Sequence, residues 1–151
     1  MSQSLTKLYV HLVFSTKYRL PFLKEKALRK EVHDYLGGII RSLDSYPIIV
    51  NGISDHVHIL FVKSKKISVS KIVAEVKRVS SIWVKNKFEE LKKFYWQDGY
   101  GAFSVGRSEV NRICKYIENQ EKHHLVRTFQ DEYRKYLKEF EIEYDEKYVW
   151  D

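Results

Sequence analysis

The stretch "VNGISDHVHILFVK", residues 50–63, decides the fold. Its Asn51-Gly52 pair is a turn signal, and an apolar run of strand length stands on each side of it. We therefore expect a β-hairpin formed by residues 45–53 and 55–63.

Outward from this hairpin, strands and helices alternate along the chain. Period-two alternation predicts a first strand, and the helical spacing of apolar residues predicts the helices. Before the hairpin we predict a strand at 8–18 and a helix at 23–43 that breaks or ends near Gly37-Gly38. After the hairpin we predict a helix that begins at Ser68 or Ser70, a strand at 94–105 and a helix capped by Ser108. A last helix is predicted at 129–140, where Thr128 and Asp131 form a capping pattern.

The resulting order, βαββαβ followed by two helices, is the α+β, ferredoxin-like pattern with an antiparallel sheet. In this pattern two helices cover one face of the sheet and the other face stays available. We expect a single domain over residues 1–151, of which 125–151 form a helical tail. RNA-recognition modules share the pattern, so the fold alone does not choose a function.

The composition excludes several classes of protein. The single cysteine, Cys114, rules out an internal disulfide framework and a cysteine zinc cluster. The N-terminal residues lack the pattern of a secretory signal, and no stretch approaches the roughly 20 apolar residues of a membrane span. We therefore expect a cytoplasmic protein without a membrane partner.

The charge is spread unevenly over the chain. The total is +7, but residues 129–151 hold eight acidic and four basic side chains and so carry −4, which leaves +11 for residues 1–128. The positive charge of residues 1–128 suits a polyanionic partner such as nucleic acid. A lysine-rich surface that binds no such partner would carry the same charge.

Two histidines interrupt the second strand of the hairpin. Side chains alternate across a strand, so His56 and His58 share one face and the apolar Val57 and Ile59 share the other. The apolar face should pack on helices, and the histidines should point from the open face. Two imidazoles at this spacing suit a metal ion, but two polar residues on a solvated face show the same pattern.

The helix after the fourth strand carries a second set of polar residues. Tyr116 and Gln120 lie one helical turn apart, with His123 close behind, along one edge of the apolar stripe. Taken alone, Tyr116 is better explained as a residue at the edge of the core. Together with the histidines, however, a metal ion with open positions would polarise a phosphate, and the tyrosine would attack phosphorus.

Four segments, taken in order, resemble the single-tyrosine transposases of the HUH class, the insertion-sequence-200-like family. They are "HLVFSTKYRLPFL" (11–23), "SDHVHILF" (54–61), "FYWQDGYGAFSV" (94–105) and "YIENQEKHH" (116–124). The resemblance covers nearly the whole chain.

The resemblance implies that His56, His58 and Gln120 hold a divalent metal ion, Mg²⁺ or Mn²⁺, and that Tyr116 is the nucleophile. Imidazole ligands also permit Zn²⁺. It further implies cleavage of single-stranded DNA at mobile-element ends through a 5′-phosphotyrosine. The substrate would carry subterminal hairpins, and the protein would be a homodimer in which one subunit's tyrosine helix can complete the partner's site.

Other residues are candidates for supporting roles. His11, Asp55 and His123 could support the metal ligands or the phosphate, although Asp55 is more simply a turn residue. Six basic residues are candidates for contacts to the DNA backbone, against the alternative of solvated surface charge: Lys17, Arg19, Lys71, Lys77, Arg78 and Lys85.

Two other functions remain compatible with the sequence. A non-catalytic hairpin-binding module on the same fold would bind nucleic acid without metal. A domesticated single-strand endonuclease would keep the chemistry after losing mobility, and only the DNA flanking the gene would distinguish it from a transposase.

Overall fold

Four strands form one antiparallel sheet in the computed structural model, which describes residues 2–151. The strands are β1 (Tyr9–Ser15), β2 (Tyr46–Gly52), β3 (His56–Val62) and β4 (Gly101–Val105). Their order in the sheet is β2-β3-β1-β4, which places β1 and β3 at the centre. The predicted ferredoxin-like α+β fold is confirmed.

Two helices, α1 (Lys26–Ser42) and α2 (Val69–Lys87), pack on one face of this sheet. The side chains of Val57, Ile59 and Phe61 belong to the core beneath these helices, as their alternation predicted. Ser68 begins α2, because its hydroxyl accepts from the backbone N–H of Lys71. The first helix runs unbroken through its two glycines.

The other face of the sheet is also covered, which corrects the expectation of an open face. It is covered by α3 (Val110–Glu118) and α5 (Phe129–Glu139), which are separated by the short helix α4 (Gln120–His123). Leu60 packs on α3, while Val13 and Phe103 pack on α5. These three side chains have the same strand parity as the histidines, so apolar area on this face drives the helices onto it.

Several predicted boundaries differ from the structure, among them those of the fourth strand and of the helix after it. The fourth strand begins only at Gly101, because the carbonyl oxygens of residues 97–99 all turn to the Lys77 ammonium instead of joining a strand ladder. Ser108 does not cap α3, since it lies inside a 3₁₀ turn at Arg107–Glu109. Thr128 caps α5 as predicted, by accepting from the Asp131 N–H.

No helix within residues 2–151 combines the length and the apolar character that a membrane crossing requires.

Candidate active site

His56 and His58 point from β3 into a closed polar centre between the sheet and the helices α3 to α5. Both side chains are 0% exposed. The prediction that the pair shares one face is confirmed, but solvent does not reach it directly in this arrangement. His11 on β1 joins the pair from the neighbouring strand and is also buried.

The orientation of His56 is set by the residue before it. Asp55 Oδ1 lies 2.8 Å from His56 Nδ1. Because a carboxylate accepts, Nδ1 carries the proton and Nε2 keeps a lone pair. Nε2 lies 3.0 Å from Gln120 Oε1. Asp55 therefore has both of the roles between which the sequence did not decide: it is the turn residue before β3, and it orients His56.

His58 connects His11 to the C-terminal helix. Its Nδ1 lies 2.8 Å from His11 Nε2, and its Nε2 donates to Glu132 Oε1 over 2.9 Å. Burial, followed by the neighbouring imidazole, lowers the pKa of His11. Burial also lowers the pKa of His58, against the opposing charge of Glu132. Both rings are therefore neutral near pH 7.

Tyr116 lies on α3 with its phenol directed into the same centre. The hydroxyl donates a hydrogen bond to the Glu132 carboxylate, and the ring stacks on His123 with centroids 4.5 Å apart. Its centroid is 6.0 Å from that of His58. Burial, and then the charge of Glu132, raise the pKa of Tyr116. The phenol is thus held in its protonated form here.

Glu132, on the first turns of α5, lies at the centre of the cluster and was missed by the sequence analysis. Its side chain is 1% exposed. Besides the bonds from His58 and Tyr116, it accepts from Gln120 Nε2 over 3.4 Å. Burial alone would raise the pKa of Glu132, but its interactions with His58, and then with His124, hold that pKa well below its usual range. The carboxylate is therefore ionised.

His124 also belongs to this cluster, although the sequence did not predict it as a metal ligand. Its Nδ1 lies 2.7 Å from the Arg127 carbonyl oxygen, and its Nε2 lies 3.3 Å from Glu132 Oε2. That contact lacks hydrogen-bond geometry, so the buried Nε2 has no hydrogen-bond partner among residues 2–151. Burial lowers the pKa of His124, but the interaction with Glu132 raises it overall. The neighbouring His123, which the sequence put forward, stacks on Tyr116 and stays outside this cluster.

A break in the backbone holds Tyr116 and Gln120 together. The predicted single helix is interrupted at Asn119, between α3 and α4. The Asn51 side chain on β2 donates to the carbonyl oxygens of Ile117 and Glu118, at 2.9 and 3.3 Å. Those carbonyls would otherwise accept from the next helical turn. Asn51 thereby ends α3 and fixes the position of Gln120.

A cavity of about 400 Å³ leads to the centre from outside, between β4, α3 and α5. Tyr116 and His11 line it, and so do two basic and two acidic side chains, Arg112, Lys135, Glu109 and Glu139. Arg112 pairs with Glu109, so the cavity gives access to the phenol without an excess of positive charge.

The ligand atoms at this centre suit a divalent metal ion. One atom each from His56, His58, His124 and Glu132 lie within 4.8 Å of one another. Gln120 Oε1 faces the same space from the side of His56. The three residues predicted as metal ligands, His56, His58 and Gln120, are therefore brought together, and their two imidazoles and amide oxygen suit the divalent ion that the resemblance implies.

Lys77 does not have the open position expected of a phosphate contact. Its ammonium donates to the carbonyl oxygens of Gln97, Asp98 and Gly99, at 2.6 to 3.1 Å. Burial lowers its pKa to about 8. All three protons are used to hold the loop before β4, so Lys77 has a structural role.

The other five basic candidates are exposed or half-buried. Lys71 and Arg78 both pair with Glu75 on α2, at 3.3 and 2.7 Å. Because α2 packs on the opposite face of the sheet, these side chains lie across the sheet from Tyr116. The remaining three are Lys17, paired with Asp98 at 3.3 Å, Arg19, 5.7 Å from the Trp150 ring, and Lys85, 3.5 Å from the Tyr95 ring.

Comparison with known proteins agrees with this geometry. The family model described as "Transposase IS200 like" matches residues 4–120, a range that contains His56, His58, Tyr116 and Gln120. The chain belongs to the IS200-like transposase family.

Relatives and solved structures support the same assignment. This IS200-like transposase is 29% identical over 119 residues to transposases of the insertion sequence element IS200 from Salmonella typhimurium and Salmonella typhi, covering 73% of this chain and 74% of each relative. The crystal structure of a presumed transposase from Deinococcus radiodurans matches with a TM-score of 0.64 and 25% identity, over 80% of this chain and 98% of that one.

A more distant structure shares the fold of this transposase. It is a REP-associated tyrosine transposase bound to a REP hairpin, with a TM-score of 0.59 and 13% identity, over 82% of this chain and 74% of that one. The family match of the present chain ends at residue 120. His124 and Glu132 therefore lie outside the matched range.

Proposed function

We propose that this transposase cleaves and rejoins single-stranded DNA at the ends of a mobile element, with Tyr116 as nucleophile. The observation that carries the proposal is the convergence of the Tyr116 phenol, His56, His58 and Gln120 on one buried centre at the end of a cavity. Membership of the IS200-like family supports the same reaction class.

His56, His58 and Gln120 would hold a divalent ion, Mg²⁺ or Mn²⁺, through two imidazole nitrogens and an amide oxygen. When bound, such an ion polarises the scissile phosphate and neutralises the charge that develops on it. Asp55 keeps His56 in the tautomer that presents Nε2. His11 holds the ring of His58 in place through Nδ1. Such partners fix the orientation of metal-binding histidines.

The chemical step joins Tyr116 to the DNA. The phenolic oxygen attacks phosphorus, the Oη–P bond forms, and the P–O3′ bond breaks. The phenol proton passes to water, and the products are a 5′-phosphotyrosine and a free 3′-hydroxyl, whose oxygen takes a proton from water as it leaves. Because the ester conserves the energy of the phosphodiester, attack by another 3′-hydroxyl rejoins the strand without ATP.

The arrangement described here is a resting form of the centre. The phenol proton must leave before attack, yet burial and the charge of Glu132 raise the pKa of Tyr116. The Glu132 carboxylate also occupies the space between Tyr116 and His58. A phosphate can reach both groups only after Glu132, and with it the start of α5, has moved aside.

The proposed substrate is single-stranded DNA with a hairpin near the cleavage position. The net charge of +11 over residues 1–128 suits a phosphate backbone. The distant REP-associated relative, which is bound to a REP hairpin, supports this class of ligand. Lys71, Arg78 and Lys85 lie across the sheet from Tyr116, so they would contact the hairpin and not the scissile phosphate.

The homodimer and the cytoplasmic location stay predictions. In this closed arrangement Tyr116 faces the histidines of its own chain, and the proposed dimer would allow it to serve the partner's histidines instead. Mixing a Tyr116→Phe chain with a His56→Asn chain tests the point. Restored cleavage in the mixture would show that one subunit's tyrosine serves the partner's metal site.

The proposed activity is tested with labelled single-stranded DNA that spans the palindromes flanking the gene. Incubation with Mn²⁺ should give one defined break, which EDTA prevents. Binding of the hairpin without any cleavage, equal with and without metal, would instead support the non-catalytic module.

A further inference from the structure

Three histidines around Glu132 share one hydrogen-bonding pattern. In His56, His58 and His124, the Nδ1 atom is engaged by a neighbour outside the centre. Those neighbours are the Asp55 carboxylate at 2.8 Å, the His11 ring at 2.8 Å and the Arg127 carbonyl at 2.7 Å. Each ring therefore turns its Nε2 inward, which is the arrangement that outer partners impose on metal-binding histidines.

The three inward Nε2 atoms surround the Glu132 carboxylate. Their distances to it are 2.9 Å for His58, 3.3 Å for His124 and 3.5 Å for His56. All four side chains are at least 96% buried, with exposed fractions of 0 to 4%. Four potential ligands thus point at one another in a space closed to bulk water.

Two of these inward atoms lie close to Glu132 without a hydrogen bond to it. Nε2 of His56 and Nε2 of His124 are 3.5 and 3.3 Å from its carboxylate oxygens, while Nδ1 of each ring is engaged by an oxygen on its outer side. Nε2 of His124 has no hydrogen-bond partner within residues 2–151. A cation placed between these atoms would satisfy all of them.

We propose that His56, His58, His124 and Glu132 form a four-ligand site for a transition-metal dication, with Zn²⁺ as the ion that their donors suit best. Three imidazole nitrogens and one carboxylate oxygen are a typical Zn²⁺ set, whereas Mg²⁺ prefers oxygen ligands throughout. Ligands about 2.1 Å from a tetrahedral ion lie about 3.4 Å apart. The present spread of up to 4.8 Å closes to that by small side-chain rotations.

This ligand set is distinct from the one that the proposed cleavage reaction uses. Both ligand sets contain His56 and His58, and the four-ligand site rests on the proposed function only through these two residues. The catalytic set adds Gln120 and leaves positions open for phosphate. The four-ligand set adds His124 and Glu132, from beyond the family match at residues 4–120, and leaves none open. An ion bound in this way fastens α5 over Tyr116 and keeps the centre closed.

Cobalt substitution tests the proposal without DNA and without activity. Co²⁺ in a four-coordinate protein site absorbs visible light strongly, and six-coordinate Co²⁺ is pale. The wild-type protein titrated with Co²⁺ should give the intense spectrum at one equivalent, and Zn²⁺ should abolish it. Glu132→Gln and His124→Gln should each lower the Zn²⁺ affinity by at least about tenfold and lose the intense spectrum.

Matched variants exclude indirect effects. Glu139→Gln removes an exposed carboxylate two turns further along α5, and His123→Gln removes the neighbouring imidazole; both should keep the wild-type spectrum. Zn²⁺ should also raise the melting temperature of the wild type and of these controls, but not of Glu132→Gln.

The outcome separates this proposal from the proposed function. Gln120→Ala should keep the intense Co²⁺ spectrum while it impairs DNA cleavage. A pale wild-type spectrum, or one that Gln120→Ala abolishes and Glu132→Gln leaves intact, would overturn the four-ligand site. Neither result depends on whether Tyr116 cleaves DNA.

Discussion

The Tyr116 hydroxyl donates a hydrogen bond to the Glu132 carboxylate, across the gap between α3 and α5. The bond joins the proposed nucleophile to a residue outside the family match. It holds the phenol protonated and fills the space that a phosphate would need. Much of the behaviour expected of this transposase follows from that hydrogen bond.

Replacing Glu132 by glutamine should activate cleavage in Mn²⁺. Removing the charge lowers the pKa of Tyr116, because Glu132 is one of the groups that raise it. The phenolate fraction at a given pH then increases about tenfold for each pKa unit, so the rise of the cleavage rate with pH should move to lower pH. Single-turnover rates measured from pH 6 to 9 check this, with Glu143→Gln, which changes an exposed carboxylate after α5, as control. Loss of cleavage in Glu132→Gln would mean that the carboxylate takes part in the reaction.

Replacing Asp55 by asparagine should weaken metal binding without unfolding the protein. The carboxylate fixes the His56 tautomer through Nδ1, and loss of such a partner costs roughly 10- to 100-fold in metal affinity. The Mn²⁺ concentration for half-maximal cleavage should rise by that factor. Asp98→Asn, which changes an exposed aspartate paired with Lys17, should behave as wild type. An unchanged Mn²⁺ requirement in Asp55→Asn would contradict the orienting role.

Replacing Asn51 by alanine should reduce cleavage through the position of Gln120. The variant lacks the side-chain bonds to the last carbonyls of α3, so stability should fall by about 1 kcal/mol. Urea unfolding measures that decrease, and the cleavage rate should fall by a much larger factor than the unfolded fraction accounts for. Equal activity per folded molecule would show that the break after α3 does not position the site.

Neighbouring basic residues on α2 should respond in opposite ways to substitution. Lys77→Met removes the ammonium that binds three carbonyls, and should cost about 2–3 kcal/mol of stability while DNA affinity per folded molecule is kept. Arg78→Ala should leave stability within about 0.5 kcal/mol but weaken hairpin binding. The slope of log affinity against log salt should fall by about 0.9 for each phosphate of the duplex stem that the variant no longer neutralises. If Lys77→Met left stability unchanged but weakened hairpin binding, Lys77 would belong to the DNA-binding surface after all.

The sequence predicted the sheet and the histidine pair because both depend on short-range patterns. Strand alternation placed His56 and His58 on one face, and helical spacing placed Tyr116 beside Gln120. The same alternation put Val13 and Leu60 on the histidine face, which was a sign that this face is covered.

Glu132 and His124 could not be located from local patterns, because their positions depend on how α5 packs over the sheet. Glu132 and His58 are 74 residues apart in sequence. One signal was present: Glu132 falls within the apolar stripe of α5, between Phe129 and Leu137. A carboxylate at such a position is rarely buried without partners, and it therefore pointed to a polar centre beneath the helix.

The central claim, that Tyr116 attacks the DNA, is tested most directly by covalent trapping. Single-stranded DNA from the element ends, labelled on the 3′ side of the cleavage position, is incubated with the protein and Mn²⁺ and then denatured. We predict a labelled protein–DNA adduct, with peptide mapping to Tyr116, that Tyr95→Phe retains and Tyr116→Phe abolishes. An adduct that persists in Tyr116→Phe, or cleavage without any adduct in the wild type, would contradict the claim.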